Sequence, residues 1–229
     1  MQTLAAKKEH NYLVVTSPVA PALTDTNVQW VEVNKMQIAQ SFASHDVEQA
    51  RKKVLGVTDV SCFQRYGFKG PQAEKWATEH ALAIPIKPNA WTLSNPHTLV
   101  LRLGGSEFLV EDQFGGKTTQ QLASDFLRVR GVYKVPRADA AFILSGSAVL
   151  NLFSELCALD LRPSALLEND LMMTQVAGIS ATVLRQTIDG ETLYRIWCDG
   201  TYGASMWNAL LEIANELGGG AVGIASYQY

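Results

Sequence analysis

Hydrophobic residues along the chain follow two different periods, and each period predicts its own kind of element. Apolar and polar residues alternate in residues 28–36, VQWVEVNKM, which is typical of a half-buried strand. Residues 46–56, DVEQARKKVLG, predict a short helix with Asp46 near its start and Gly56 just after its end. Two apolar runs around a pair of glycines in residues 97–112 predict a β-hairpin. Near the C-terminus, apolar residues share one face of a predicted helix, at Met206, Leu210, Ile213 and Leu217.

The order strand, glycine turn, helix, linker, hairpin and helix occurs twice, which predicts an internal duplication. Gly70 and Gly146 each lie between the strand and the helix of their copy. A shared eight-residue motif follows each helix: AIPIKPNA at 83–90 and ALDLRPSA at 158–165. The proline near the end of each motif holds the preceding residue extended, so the chain must leave the helix there. We therefore expect both motifs to be structural linkers whose two aliphatic residues pack onto the core.

The pattern predicts an α+β fold organised in three segments. Residues 1–45 contain two prolines and several turn-forming residues, and we expect them to form an N-terminal extended arm. Residues 46–135 form the first strand–helix–hairpin–helix half, and residues 136–229 form the second. The arm is rich in apolar residues, which favours a segment that becomes ordered on a partner over a terminus left in water.

Composition and charge are those of a globular protein and argue against several functional classes. The chain has 229 residues, enough for one large or two small domains. Its net charge is −3 and it has no extended basic run, which argues against a nucleic-acid partner. Its three cysteines lack CxxC spacing and cannot all pair, which favours a reducing compartment. No apolar run predicts a membrane span or a secretory signal, so we expect a cytoplasmic protein.

Candidate chemical groups are scattered along the sequence. There is no GxGxxG, Walker A, HExxH or GxSxG motif, and the four histidines lack metal-ligand spacing. The glycine-rich residues 216–223, ELGGGAVG, follow a predicted helix, and we expect a flexible connector there. Asp59 and Asp199 are interpreted as strand-end and turn residues, and Trp207 as a core residue. These patterns assign no catalytic residue and no metal ligand.

Several motifs nevertheless resemble one family of folate enzymes. Residues 56–77, GVTDVSCFQRYGFKGPQAEKWA, resemble the first-domain segment of glycine cleavage T-protein-like enzymes, where a short strand leads to G-P-x-A at the start of a helix. A collinear series is similar to the gamma subunit of heterotetrameric sarcosine oxidase and covers most of residues 17–217. Its members are SPVAPAL, LGVTDVS, RYGFKGP, IPIKPNAW, TLVLRLGGSEFLV, VPRADAAFILSGSAV and CALDLRP.

The resemblance implies a T-protein-like architecture without its third domain, and a structural role beside larger subunits. It also implies that FAD, FMN, NAD and the tetrahydrofolate site belong to alpha- and beta-type subunits, which are the expected partners. The family pattern R-T-G-Y-T-G-E-x-G-[FY]-E is matched by RQTIDGETLYR at 185–195. This stretch keeps Glu191, the candidate folate contact, but has Ile188, Leu193 and Arg195 in place of Tyr, Gly and Glu.

The resemblance further implies that a catalytic group has been lost. T-protein-like enzymes have a catalytic aspartate in the segment that matches LSNPHTLVL at 93–101, where this chain has no carboxylate. The first hypothesis is therefore a non-catalytic gamma-type subunit of a sarcosine oxidase-like oxidative demethylase, linked to flavins and tetrahydrofolate. The alternative, favoured by Glu191, is a stand-alone tetrahydrofolate-dependent aminomethyltransferase or folate-binding protein. A tRNA-modification role within the same superfamily lacks its K-G-C-Y-x-G-Q-E element.

Overall fold

The structure is a computed structural model that describes residues 14–24, 27–125, 129–188 and 190–227. The helices of these residues are α1 (His45–Leu55), α2 (Ala73–Glu79), α3 (Thr118–Asp125), α4 (Val149–Leu156) and α5 (Gly203–Glu216). The strands are β1 (Val15–Thr16), β2 (Gln29–Val33), β3 (Met36–Ser41), β4 (Gly56–Asp59), β5 (Gln64–Lys69), β6 (Ala90–Asn95), β7 (Thr98–Arg102), β8 (Glu107–Asp112), β9 (Tyr133–Val135), β10 (Asp139–Ser145), β11 (Leu171–Val176), β12 (Ile179–Ile188), β13 (Glu191–Asp199) and β14 (Gly220–Ala221). Short 3₁₀ helices span Ala20–Ala22, Gly200–Tyr202 and Ile224–Tyr227.

Two large sheets repeat the same strand order, as the duplicated sequence pattern predicts. The first sheet has the order β6-β7-β8-β5-β9, and the second has the order β11-β12-β13-β10-β4-β14. In each sheet, three antiparallel strands in chain order lie beside the strand that precedes them in the sequence, β5 or β10. The predicted α+β class with two similar strand–helix–hairpin–helix halves is therefore confirmed.

The two sheets pack face to face, and helices cover their outer faces. On β10, Ala140, Phe142 and Leu144 pack with α4 and α5, whereas Ala141 and Ile143 contact the core shared with the first sheet. Helices α2 and α3 cover the first sheet in the same way. This layering follows from the two-residue period of a strand, which sends alternate side chains to opposite faces. The large side chains buried between the sheets include Trp91, Leu99, Leu101, Leu109, Leu184, Leu193 and Trp197.

The two linkers end where β6 and β11, the edge strands of the two facing sheets, come together. The backbone N–H of Trp91 donates to the carbonyl of Asn169 at 2.8 Å, and the N–H of Leu171 donates to the carbonyl of Asn89 at 3.0 Å. These bonds join the start of β6 to the start of β11. Each linker therefore brings its half to this junction, which explains why the chain contains a similar linker in both copies.

The expectation that both aliphatic residues of each linker pack onto the core is wrong for one residue per copy. Leu161 is buried and Ile84 is half-buried against the core. Ile86 is 97% exposed and Leu159 is 48% exposed. Residues two positions apart share one side of a regular strand, but both linkers contain bends or turns, and each copy buries a different one of its two aliphatic positions.

The described part of the predicted N-terminal arm packs against the second half. Strands β1, β3 and β2 form a three-stranded sheet in that order, and Val19 is fully buried in the core under α5. Val14, Val15 and Trp30 remain exposed. Strand β4, from the predicted segment 46–135, pairs with β10 of the second sheet, so hydrogen bonding crosses that boundary. Whether the three predicted segments are domains stays a prediction.

The glycine-rich residues 216–223 are not the flexible connector that we expected. Gly220 and Ala221 form β14 and pair in parallel with β4. A Cβ atom at Gly219 would lie 2.0 Å from the carbonyl oxygen of Leu55, so only glycine allows this close approach. The N–H of Gly223 donates to the buried carboxylate of Glu48 at 3.1 Å. The glycines therefore allow this segment to pack closely against the end of α1 and against β4, and they do not make it flexible.

No helix in the described ranges combines the length and apolar character needed to cross a membrane.

We predict that Gly146→Ala destabilises the protein by about 2 kcal/mol or more. Gly146 has φ +106°, and a Cβ atom there would lie 2.5 Å from backbone atoms of Val54 at the end of α1. Urea unfolding followed by circular dichroism measures the change. Gly105→Ala is the matched control, since its Cβ would meet no atom within 4 Å, and it should stay within about 0.5 kcal/mol of wild type. Equal effects of the two substitutions would contradict the prediction.

Candidate functional site

A cavity of about 580 Å³ opens between the two sheets, within the range of about 300–1,000 Å³ that is usual for small-molecule sites. It receives residues from both halves and from the C-terminal segment. Its wall combines apolar and aromatic side chains with a few polar ones and contains no aspartate or glutamate among the described residues. The lining residues are Phe63, Leu93, Asn95, Pro96, His97, Gln113, Phe114, Ile143, Gln186, Thr187, Ile188, Leu193, Arg195 and Tyr227.

Local hydrogen bonds shape the β6–β7 turn at the cavity mouth. The side-chain oxygen of Asn95 accepts the N–H of His97 at 2.9 Å, which closes a turn of the type that Asn favours. The Asn95 amide also donates to Thr118 Oγ1 at 3.3 Å, at the start of α3. The turn thus places His97, one residue of the segment 93–101, at the cavity, where its side chain is exposed.

A buried ion cluster adjoins the cavity and joins the two sheets. Glu111 on β8 is fully buried, and its Oε2 accepts hydrogen bonds from Arg65 Nε and from Trp197 Nε1, both at 2.6 Å. Its Oε1 accepts a hydrogen bond from Arg195 Nη2 on β13. Burial alone would raise the pKa of Glu111, but the guanidinium charges of Arg195 and Arg65 outweigh burial and lower the pKa.

The two arginines of this cluster differ in how their donors are used. Arg65 also donates to the backbone carbonyls of Val60, Ser61 and Asp139, at 3.2–3.3 Å. Arg195 is almost fully buried, and its Nε has no hydrogen-bond partner among the described residues. Burial lowers the pKa of Arg195, while the Glu111 carboxylate opposes that change. An arginine stays protonated in either case, so Arg195 contributes a positive charge to the cavity wall.

Two glutamines at the cavity also have buried polar atoms without partners. Within the described chain, Gln113 Nε2, just after β8, and Gln186 Oε1, on β12, form no hydrogen bond. Together with Arg195 Nε they supply two donors and one acceptor from three separate segments. Each of these atoms has less than 1 Å² of accessible surface, so they lie behind the cavity wall and are not presented to a molecule inside it.

Glu191, the candidate folate contact, lies outside the cavity lining. It is the first residue of β13, and its carboxylate pairs with Lys52 Nζ of α1 at 3.0 Å. The Glu191 side chain is 55% exposed, whereas the Lys52 side chain is 7% exposed. The Lys52 ammonium also lies 4.5 Å from the ring centre of Tyr227. Glu191 therefore neutralises a buried lysine, and its role as a folate contact stays a prediction.

The other residues that the sequence analysis considered, Asp59, Asp199 and Trp207, make contacts that stabilise the fold. Asp59 is buried and accepts hydrogen bonds from the hydroxyl groups of Ser17 and Ser61, yet burial raises its pKa. Asp199 caps the 3₁₀ helix Gly200–Tyr202, as expected of a turn residue. Trp207 lies on the buried face of α5, as expected of a core residue. In the described ranges, no cluster of three or more His, Cys, Asp or Glu residues could hold a metal ion.

The cysteines also have structural surroundings, since Cys62 and Cys198 are buried and Cys157 is half-buried. Burial raises the pKa of Cys198 to about 12 and raises that of Cys62 as well, which disfavours the reactive thiolate.

Sequence reasoning did not assign Glu111, Gln113 or Gln186 to a site. Arg195 does carry a signal, because it lies between Leu193 and Trp197 on one face of the strand ETLYRIWCD, whereas Glu111 shares its face of EFLVED with Glu107 as well as Leu109. A charge at an inward position of a strand indicates either an ion pair or a site. The sequence does not say that the two charges face each other.

A wider groove of about 770 Å³ along β11, β12 and β13 is a weaker candidate. Its charged groups already have partners, since Arg137 pairs with Asp139 at 3.0 Å and Asp199 caps a turn. We therefore assign the candidate site to the cavity between the sheets.

Comparison with known proteins connects this geometry to a fold. No protein-family model and no curated protein matches the chain. Among solved structures, the glycine cleavage system aminomethyltransferase T from Bartonella henselae matches 93% of this chain with a TM-score of 0.71 and 14% identity. The fold is T-protein-like. The chain spans 61% of the length of that aminomethyltransferase structure.

A second match extends the resemblance to an oxidase complex. The structure of heterotetrameric sarcosine oxidase from Corynebacterium sp. U-96 in complex with pyrrole 2-carboxylate contains a chain that matches 75% of this chain and 91% of its own length. The TM-score is 0.62 and the identity is 19%. The structural resemblance to T-protein-like enzymes and to sarcosine oxidase that the motifs imply is thus confirmed.

We predict that Glu111→Gln destabilises the protein by about 3–5 kcal/mol, because it leaves two buried guanidinium groups without a counter-charge. Glu79→Gln, which removes a carboxylate from an exposed ion pair with Lys75 on α2, should cost about 0–1 kcal/mol. Urea unfolding at neutral pH measures both. A Glu111→Gln variant as stable as Glu79→Gln would show that the cluster does not hold the sheets together.

The lowered pKa of Glu111 also predicts an acid sensitivity. The unfolded state binds the proton more tightly, so the stabilisation by ionised Glu111 is present above its unfolded pKa of about 4.3. It is lost as the pH falls from there towards the lower pKa of the folded state. Unfolding free energies measured between pH 7 and pH 3 should fall more steeply for wild type and Glu79→Gln than for Glu111→Gln. Equal slopes would contradict the assignment.

Proposed function

We propose that this chain is a non-catalytic, gamma-type subunit of a cytoplasmic, heterotetrameric sarcosine oxidase-like enzyme. Its partners are alpha- and beta-type subunits, which bind FAD, FMN, NAD and the tetrahydrofolate of an oxidative demethylation. The fold supports this proposal through its likeness to a chain of heterotetrameric sarcosine oxidase. The match covers a larger share of that chain than of this one, so that chain is the shorter of the two and suits a small subunit.

The observation that carries the proposal is the absence of aspartate and glutamate from the described cavity wall. Transfer of a one-carbon unit to a folate amine requires a proton acceptor or a negative charge beside the reacting nitrogen. His97 is the nearest substitute, but its ring has no hydrogen bond to any described residue. A catalytic histidine is normally oriented by a partner group, so an unrestrained, exposed ring suits a structural role better.

The residues do not fit tetrahydrofolate in the way that the resemblance implies. The resemblance implies a carboxylate in the segment 93–101 and a second one, Glu191, on the pterin ring. Instead, the described cavity wall has no carboxylate, and Glu191 pairs with Lys52 outside it. The alternative, a stand-alone tetrahydrofolate-dependent aminomethyltransferase or folate-binding protein, is favoured by the cavity itself.

Exposed apolar side chains support a role in assembly. Val14, Val15 and Trp30 are exposed on the N-terminal sheet, and Ile86 is almost fully exposed on the first linker. Apolar and aromatic side chains are commonly buried where subunits meet, so these exposed groups suit a role in assembly. The sequence-based expectation that the N-terminal segment contacts a partner belongs to this proposal.

We predict that the chain co-elutes with alpha- and beta-type sarcosine oxidase subunits of the same genome when the three are co-expressed. Size-exclusion chromatography of the affinity-purified alpha subunit measures the assembly. The assembled complex with His97→Ala should oxidise sarcosine with a kcat within about twofold of wild type, since this chain supplies no reacting group. Failure to co-elute would contradict the subunit role, and an intact complex with a tenfold lower kcat would contradict the non-catalytic role.

A titration tests the alternative function. We expect tetrahydrofolate to give no pterin-dependent binding to the isolated chain in calorimetry, because the required carboxylates are absent from the cavity. The compound 4-aminobenzoylglutamate, which has the tail of the folate without the pterin, is the control ligand. Binding of tetrahydrofolate that this control does not compete with would favour the folate-binding function instead.

A further inference from the structure

The two large sheets differ at one end, although the rest of their strand order is the same. In the second sheet, β4 pairs antiparallel with β10, and β14 pairs in parallel with the other side of β4. In the first sheet, β9 pairs antiparallel with β5 and so has the place of β4. No strand of the described residues lies on the other side of β9. The duplication therefore leaves the place that corresponds to β14 open beside β9.

The open side of β9 is accessible to other molecules. Tyr133, the first residue of β9, is 60% exposed, and Lys134 is also exposed. A strand with one neighbour turns alternate N–H and C=O groups to its other side, where a second strand can pair with them. In the second sheet, Gly220 and Ala221 are enough to form the corresponding pairing with β4. A short extended segment would therefore fit beside β9.

The sequence around this edge is basic. Residues 128–137, RVRGVYKVPR, contain four basic residues and no aspartate or glutamate. Arg137 pairs with Asp139 at 3.0 Å, whereas Arg130 and Lys134 are exposed and form no ion pair with another described residue. Exposed charges of one sign attract a partner of the opposite sign. The edge of β9 therefore favours an anionic partner.

The two faces of β9 differ in chemistry. Lys134 lies on the helix-covered face, with its Nζ 5.4 Å from the ring centre of Tyr66. Tyr133 lies on the opposite face beside Lys69 of β5, whose charge is partly offset by Glu107 on the next strand, β8. A segment beside β9 thus meets a positive charge on one face of the sheet and an exposed aromatic ring on the other. Alternating acidic and apolar side chains match these two faces.

The same residues disfavour a second copy of this chain at the edge. Two β9 strands side by side would bring Arg130 and Lys134 of one copy next to those of the other, and like charges on neighbouring strands repel. Pro136 follows β9 and has no N–H, which limits the pairing to a short stretch. Lysine and proline at a sheet edge restrict which strands can pair there. The charge of the edge therefore selects an acidic strand.

We propose that the open edge of β9 binds an acidic, extended segment of another protein, which pairs as an added strand in the place that corresponds to β14. The segment runs parallel to β9, as β14 runs parallel to β4. An acidic side chain of the segment lies beside Lys134, and an apolar side chain packs against the exposed ring of Tyr133. The edge lies outside the cavity between the sheets, and the proposal does not depend on the subunit role.

The test is a fluorescence-anisotropy titration of the full-length chain with a labelled short peptide in which glutamate alternates with valine. One control peptide has lysine in place of glutamate, and a second keeps the glutamates but has N-methyl groups on its backbone nitrogens. The acidic peptide should bind saturably, and each control should bind about fivefold more weakly or less. No binding of the acidic peptide would overturn the proposal. Equal binding of the N-methylated peptide, or of a single-stranded oligonucleotide, would show a general anion-binding surface without strand pairing and would also overturn it.

Matched variants locate the contact. Lys134→Glu reverses the charge at the edge and should weaken binding of the acidic peptide about fivefold, because it replaces an attractive cross-strand pair by a repulsive one. Lys53→Glu, at an exposed position of α1, makes the same change beside the second sheet and should leave the affinity unchanged. Equal affinities of the two variant proteins would place the peptide elsewhere and overturn the proposal.

Amide hydrogen exchange gives a second measurement that does not depend on a variant. The acidic peptide should slow exchange in Tyr133–Val135 and leave exchange unchanged in Gln29–Val33, the strand β2 at the edge of the N-terminal sheet. Slower exchange in β2 instead of β9 would overturn the proposal. Both measurements use the isolated chain, so failure of the chain to join an oxidase complex leaves this test intact, and failure of this test leaves the subunit role intact.

Discussion

Glu111 is fully buried between the two large sheets, and the charges around it fix how the sheets lie against each other. Its carboxylate accepts N–H groups from Arg65 on its own sheet and from Arg195 and Trp197 on the facing sheet. A buried carboxylate is stable only when its charge and lone pairs are matched, so sliding one sheet along the other would leave buried ions unpaired. Apolar packing tolerates such shifts far better. The ion cluster therefore specifies one arrangement of the two halves.

The same interaction determines the character of the cavity. Arg195 belongs both to the cluster and to the cavity wall, so the contact that joins the sheets also gives the wall a positive charge. The described wall has no aspartate or glutamate to offset that charge.

Duplication explains why the cavity lies where it does. Each half has a helix-covered face and a second face that helices leave open, and the open faces cover each other. The linkers bring both halves to a shared edge, where main-chain hydrogen bonds of Asn89 and Leu171 and of Trp91 and Asn169 join them. The gap that remains between two twisted sheets is a natural ligand pocket. A chain with this fold therefore has a cavity between its two sheets.

The sequence by itself determined the strands, the helices, their order and the duplication, because periods of 2 and 3.6 and turn residues such as Gly70 and Gly146 act within a few positions of the chain. Only the tertiary structure decided which side chains meet. A strand pattern gives the inward face but not what lies opposite, so the contact of Glu111 with Arg195, the diversion of Glu191 to Lys52 and the close packing of the glycine-rich segment could not be predicted from local pattern. These contacts join residues far apart in the chain, and their geometry exists only once the two sheets have packed together.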